Sequence, residues 1–282
     1  MKRILSLIAI CILFTSKIEA QQTNVDLKAL DNYYEKMVKD WDIPSATIGI
    51  VKDGKLIFTG NYGTMEVGKN QKPNEHTLYA IASNSKAFTS AMIGMLVQEG
   101  KLNWNDKVKK HLPYFEVYDT WVSNNVSIRD LLSHRVGLGT FSGDNIWYKS
   151  DLPAEDIIKR IKHVPQAYDF RAGYGYSNLM FITAGEIIEK VTGKSWADNV
   201  QERILNPLGM DRTISTVYDL AKKGNYATPH ARKDEKNYPI PWAKWDNVAA
   251  PGGWISSCLL YTSPSPRDPL RSRGCRRLRD PG

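Results

Sequence analysis

The chain has 282 residues, with 38 Lys and Arg against 30 Asp and Glu, a formal net charge of +8. That basicity is terminal. Setting aside the three basic and one acidic residues of 1–20, and the six arginines and two aspartates of 258–282, leaves 29 basic against 27 acidic residues and a net +2, which excludes an electrostatic case for nucleic acid or for acidic partners.

In chain order, Lys2 and Arg3 precede an apolar run from Ile4 to Phe14, and a polar stretch ends at Ala20. This is the pattern of a secretory signal peptide cleaved after Ala20, which sends the mature protein out of the cytoplasm, in a bacterium to the periplasm. The run is too short to span a bilayer comfortably, so no stable membrane span is expected after cleavage. Cys11 follows Ile10, where a lipoprotein site wants a small residue, and reads as a passenger in the signal. The other cysteines, Cys258 and Cys275, lie in the last 25 residues. The body between has none, which suits an oxidising compartment and forbids a disulfide framework.

The body, 21–257, is long enough for one large core or two intimate subdomains. Apolar residues at helical spacing (Leu27, Leu30, Tyr33, Tyr34, Met37) predict a helix over 26–39, ended by Pro44. The β-branched run Ala46–Val51, the turn Lys52-Asp53-Gly54 and the return Lys55–Tyr62 predict a hairpin over 46–62. A helix is predicted from Ser83 to the stop residue Gly100, the first element of a mainly helical insert over 83–225. Within it, Ser127–Leu132 starts a short helix, Leu179–Thr192 forms a long one closed by Gly193, and Ser195–Leu205 another ended by Asn206-Pro207-Leu208-Gly209. From Tyr226 the pattern is loop-rich. From Cys258 composition shifts to Arg, Pro and Ser, and CLLYTSPSPRD resembles a translated sequencing adaptor; 258–282 is expected to be a non-native tail. The alternative is a natural basic, disordered tail.

Two short groups carry chemistry. In Ser83-Asn84-Ser85-Lys86 the serine and lysine are three residues apart on one helix face, at a helix N-terminus that favours developing negative charge. A lysine amine beside a hydroxyl can take its proton if burial lowers the amine's pKa. The alternative is an N-cap serine followed by a solvated lysine. In Tyr176-Ser177-Asn178, alternate residues of an extended segment point one way, so Tyr176 and Asn178 can share a cleft. The phenol can serve as base or proton relay. The amide can donate to a substrate carbonyl while accepting from the lysine. The alternative is a buried tyrosine and an N-capping Asn.

The two groups come in that order with a helical insert between them. With 43–63, 79–102, SIRDLLSHRVGLG (127–139), NPLGM (206–210) and APGGWISS (250–257), they make the chain resemble the serine β-lactamase, DD-peptidase and esterase superfamily, in particular its class C-like branch. The resemblance covers nearly all of 21–257. It implies an α/β fold, an antiparallel sheet flanked by helices plus an all-helical subdomain. It implies that Ser83 is acylated, that Lys86 and Tyr176 shuttle its proton, that Asn178 orients the substrate and that the Ser83 amide serves an oxyanion hole. The expected partner is a small-molecule or peptide substrate: a β-lactam, an ester, a D-amino-acid peptide or a D-Ala-D-Ala peptidoglycan stem. No cofactor is expected. The rival class is a non-catalytic peptidoglycan- or penicillin-binding sensor module.

The family's third motif, Lys or His followed by any residue and Gly on a strand, belongs beyond residue 257 and does not occur in 258–282. The resemblance therefore implies a chain cut short, folding poorly and inactive as written. His76, His111, His163 and His230 have no metal-binding spacing, and His134 is expected to be a structural loop residue. No Gly-x-Ser-x-Gly elbow is present. Trp242, Trp245 and Trp254 are expected in core packing, with a cleft as the alternative.

Overall fold

The computed structural model describes residues 25–262. The predicted signal peptide 1–20 and residues 263–282 of the expected tail lie outside the described residues. Helix α1 spans Leu27–Asp40, opened by the Asp26 carboxylate accepting from the Ala29 amide at 2.9 Å. Strands β1 (Ser45–Lys52) and β2 (Lys55–Gly63) follow as an antiparallel hairpin, Lys52 opposite Lys55. Asp53 and Gly54 both take positive φ, 52° and 74°, the two-residue turn that the Asp-Gly pair predicts. α1 lies along β2, and the Tyr62 hydroxyl donates to Asp31 at 2.6 Å. Among the described residues β1 pairs with β2 alone.

Strand β3 (Leu78–Ala80) runs into a 3-10 turn, Ala82–Asn84, and then α2 (Ser85–Gln98). Short helices α3 (Val108–His111), α4 (Thr120–Asn125), α5 (Ile128–Leu132) and α6 (Ala154–Arg160) lead to the long α7 (Asn178–Thr192). α5 is fixed by a capping box in which Ser127 and Asp130 bond each other's amides. α7 ends at Gly193 in the left-handed region, φ 71°, as its sequence predicts. The predicted helix over 195–205 is instead three pieces: α8 (Trp196–Val200), a π-helical turn over Gln201–Leu205, and α9 (Asn206–Leu208). Periodicity alone does not separate a π turn from an α turn.

α10 (Leu220–Lys223) precedes a second hairpin, β4 (His230–Lys233) and β5 (Lys236–Pro239), in the segment predicted to be loop. Its turn places Asp234 and Glu235 at positive φ without a glycine to signal it. β6 (Ile255–Ser257) then pairs antiparallel with β3. Residues Cys258–Thr262 continue as α11, with Leu260 buried and the Leu259 amide donating to the Glu75 carbonyl at 3.2 Å. The fold thus takes in five residues of the segment set apart as tail.

The architecture is mixed α/β, with small antiparallel sheets beside a helical subdomain. The core gathers around α2 and α7, where Met92, Ile93, Leu96, Leu179, Ile187 and Ile188 have no exposed surface. Each such side chain contributes roughly 1.5–3 kcal/mol through burial, enough to hold two helix N-termini in fixed relation. Trp254 plugs the end of this core against Phe88 and Trp196, with ring centroids at 6.1 and 5.0 Å. Among the described residues no helix is long and apolar enough to cross a membrane.

Candidate active site

Three segments meet at Ser83. The first is the 3-10 turn before α2. Its Ala82 sits at φ 44°, a region that costs a residue with a Cβ on the order of 1–3 kcal/mol. Packing holds it there: the Ile81 amide donates to the Trp254 carbonyl at 3.0 Å, and Asn84 returns to the Ile81 carbonyl through its amide at 3.1 Å and its side chain at 2.9 Å. Ser83 is left exposed at the head of a helical segment, where the first N–H groups have no intrahelical acceptor. The α-helix proper starts at Ser85, two residues later than its sequence predicts.

Lys86 lies on the same face and is buried, 8% exposed. Its Nζ donates to Ser83 Oγ at 3.1 Å, to Asn178 Oδ1 at 2.8 Å and to the Pro251 carbonyl at 2.7 Å. These three acceptors match the three donors of an ammonium group. Burial nonetheless disfavours the charge and lowers the Lys86 pKa to about 8, against an opposing pull from the Asp144 carboxylate. With a pKa lowered to about 8, the amine stands 3.1 Å from the serine hydroxyl, within reach of its proton when neutral. A solvated first-turn lysine is not what the structure contains.

The second segment is Tyr176-Ser177-Asn178. The Tyr176 hydroxyl donates to Ser83 Oγ at 2.6 Å. Its ring stands 4.7 Å from that of His134 and 5.3 Å from that of Phe141, and Lys86 Nζ sits 4.7 Å from its centroid. Asn178 opens α7, but its side chain does not cap the helix. Its Oδ1 accepts from Lys86, while its Nδ2 donates to Asp144 Oδ2 at 2.9 Å. The acceptor half of the reading from sequence is met; the donor is engaged by a carboxylate, with one N–H of the amide remaining for a substrate.

The third segment is APGGWISS, which supplies a carbonyl to Lys86 through Pro251, and whose Trp254 amide donates to Ser85 Oγ at 3.1 Å. Trp242, Trp245 and Trp254 line one cavity with Ala80, Gly252 and Gly253. Trp254 is also core, 1% exposed, so the packing and cleft alternatives both hold for it.

Four residues identified from sequence therefore come together: Ser83, Lys86, Tyr176 and Asn178. Three contributors were not identified: Asp144, the Pro251 carbonyl, and the acceptor role of His134. His134 is 7% exposed at φ 57°, and its Nδ1 accepts from the Ser177 amide at 3.1 Å. Burial, and secondarily the Lys86 charge, lower its pKa to about 4, so the imidazole is neutral and shapes the loop. Among the described residues no cluster of three or more His, Cys, Asp or Glu side chains could hold a metal ion.

The sequence profile of the family described as Beta-lactamase matches residues 30–259. The chain is 35% identical over 248 residues to "Unguisins hydrolase ungD'" of Aspergillus campestris, covering 82% of this chain and 46% of that protein. It is 33% identical over 219 residues to "Protein flp" of Staphylococcus aureus, covering 74% of this chain and 41% of that protein. The chain thus spans less than half the length of these relatives. Its fold is similar to that of the octameric penicillin-binding protein homologue from Pyrococcus abyssi, with a TM-score of 0.76, 24% identity, and coverage of 91% of this chain and 57% of that one. It is also similar to EstCE1, a hydrolase with promiscuous acyltransferase activity, with a TM-score of 0.71, 17% identity, and coverage of 82% and 69%.

Proposed function

The chain belongs to the Beta-lactamase family, within the serine β-lactamase and DD-peptidase superfamily, and from that premise we propose that it is a serine hydrolase working through an acyl-enzyme on Ser83. The observation that carries the reading is the double contact on one oxygen: Ser83 Oγ meets Lys86 Nζ at 3.1 Å and the Tyr176 hydroxyl at 2.6 Å. Two groups that exchange protons flank a nucleophile at a helix start, the arrangement nucleophilic catalysis needs.

In this mechanism Oγ attacks a carbonyl carbon while its proton passes to the neutral Lys86 amine. The Tyr176 hydroxyl, bonded to the same oxygen, is placed to hand its own proton on toward the leaving group and be reprotonated from Lys86 through Ser83 Oγ. The tetrahedral oxyanion forms beside the Ser83 amide. Its collapse expels the leaving group, which takes a proton back from the Lys86–Tyr176 pair. Water, activated by the same pair, then attacks the ester and regenerates Ser83. Asn178 holds Lys86 in place and offers its remaining N–H to the substrate. Substrates in keeping with this chemistry are β-lactams, esters and D-amino-acid peptides, including a peptidoglycan stem ending in D-Ala-D-Ala. One relative is named a hydrolase of unguisins and one similar structure is of a hydrolase with acyltransferase activity, and both names support acyl transfer here. Secretion after cleavage at Ala20 would place the enzyme with the peptidoglycan substrates.

The test is covalent labelling of the full chain by a fluorescent penicillin and by a fluorophosphonate, followed by peptide mapping. Labelling is expected on Ser83 and is expected to vanish in Ser83→Ala. Labelling that persists in Ser83→Ala would refute the nucleophile. Stoichiometric acylation with no turnover of any ester or peptide would instead favour a penicillin-binding sensor.

A further inference from the structure

Asp144 belongs to none of the groups that sequence singles out, yet it touches the machinery from a separate segment. It begins a 3-10 turn, Asp144–Ile146, directly after Gly143 at φ 79°. Its Oδ2 accepts from Asn178 Nδ2 at 2.9 Å and its Oδ1 accepts from Trp147 Nε1 at 2.9 Å. Trp147 is 4% exposed and its ring packs at a tilt against that of Trp245, with centroids 4.8 Å apart, so one carboxylate oxygen is anchored to packed core.

We propose that Asp144 is the positioning residue of this site, fixing through Asn178 which end of that amide faces Lys86 and placing the negative charge that keeps the Lys86 amine from losing its proton too readily. This rests on the Ser83 acyl-enzyme reading and deepens it.

The first half follows from donor and acceptor types. A carboxylate only accepts and an ammonium only donates, so an amide held between them has one orientation: Nδ2 toward Asp144 and Oδ1 toward Lys86. Without the carboxylate, the flipped amide would aim N–H at N–H. The second half follows from charge. Lys86 is buried, and burial alone would drive its amine toward neutrality; Asp144 is the charged group that opposes this. The other titratable groups facing the amine cannot do so. Tyr176 meets it through a ring face and His134 behind that ring is neutral.

The experiment reads Lys86 in two independent ways in the full chain. The 13Cε resonance of Lys86, assigned by its loss in Lys86→Arg, is titrated in 13C-lysine-labelled protein. Acylation of Ser83 by a fluorescent penicillin, with phosphonylation of the same oxygen by a fluorophosphonate beside it, is followed against pH. In Asp144→Asn the Lys86 midpoint and the alkaline rise in acylation are expected to move to lower pH by about one unit. Acylation at its plateau should fall about 10- to 100-fold as Asn178 loses its charge-assisted bond. Asp144→Glu should return the midpoint toward that of the parent, and Trp147→Phe, which keeps the charge, should leave it in place. Asp144→Ser, a short neutral acceptor, serves equally if Asp144→Asn does not fold. A Lys86 midpoint unmoved in a folded, neutral variant at position 144 would overturn the proposal. A parent chain that shows the expected Lys86 titration shift but no acylation of Ser83 would sink the acyl-enzyme reading and leave the placement of Asp144 standing.

Discussion

Lys86 Nζ donates to the Pro251 carbonyl at 2.7 Å, a bond that joins the first turn of α2 to a loop 165 residues later. It holds the amine against the core wall, with Trp254 bonded to Ser85 just beyond. The lysine is thereby held by a backbone acceptor as well as by Ser83 and Asn178, and it is buried, 8% exposed.

A pH dependence of both rate and stability is expected from Lys86. Its pKa is lowered by burial to about 8, so acylation should rise with pH through that region as the free base forms. For stability, the folded pKa lies below the ordinary lysine value of about 10.4. Between the two the unfolded chain binds more protons than the folded one, so stability should increase with pH across that window. Urea denaturation at pH 8, 9 and 10 reads the slope, and Lys86→Ala should remove it. The same substitution should slow acylation by ~10²–10⁴.

Tyr176→Phe separates chemistry from packing. The phenylalanine keeps the ring between His134 and Phe141 and under Lys86 Nζ, and deletes only the hydroxyl bonded to Ser83. Loss of one partly exposed hydrogen bond should cost about 1 kcal/mol or less in stability. Loss of a proton relay should slow acylation by ~10²–10⁴. Thermal melts and labelling rates measured side by side check the contrast, and a rate unchanged within twofold would remove Tyr176 from the mechanism.

What was legible in sequence and what was not divides along physical lines. Elements set by local chemistry were readable: the Asp53-Gly54 turn, the Ser127 cap, and α7 ending at Gly193. The four side chains that meet at Ser83 were readable too, because Ser83 with Lys86, and Tyr176 with Asn178, are neighbours along the chain. The Pro251 contribution was not, since it is a backbone carbonyl and any residue type could supply it. Asp144 lies 34 residues before Asn178 and reaches it only through tertiary packing, so no spacing marks it. The β4–β5 hairpin escaped because Asp234-Glu235 takes a turn conformation that glycine or asparagine usually signals.

His134 should make the site fail in acid before the fold does. Its neutral Nδ1 accepts from the Ser177 amide, and protonation replaces that acceptor with a donor. Burial holds its pKa at about 4, below the ordinary 6.5. Between these values the unfolded chain binds more protons, so stability should fall as pH drops from 6.5 toward 4. Acylation measured after return from brief exposure to pH 4 checks whether the loop recovers. His134→Phe should keep the stacking and flatten this acid slope, while leaving the Ser177 N–H without its partner at about 1–3 kcal/mol at neutral pH.

Gly175→Ala is expected to damage the site more severely than any other single methyl in this loop. Gly175 donates its amide to the His134 carbonyl at 3.0 Å, bringing the chain against the loop that carries Leu138. A Cβ there would stand 1.8 Å from the Leu138 carbonyl oxygen and 2.8 Å from the Tyr168 hydroxyl, and the first of these is backbone that cannot rotate aside. The loop must therefore back away, and Tyr176, the next residue, moves with it off the 2.6 Å contact to Ser83. Displacements of this size in a positioned base lose about 10²-fold in rate. At Gly173 the added Cβ meets the Tyr168 ring, at 2.9 Å, a side chain rather than backbone. Gly173→Ala should accordingly retain most acylation while Gly175→Ala loses it. Labelling rates for the two variants, each shown folded by circular dichroism, make the comparison, and equal rates would mean that close backbone approach at Gly175 does not set the Tyr176 position.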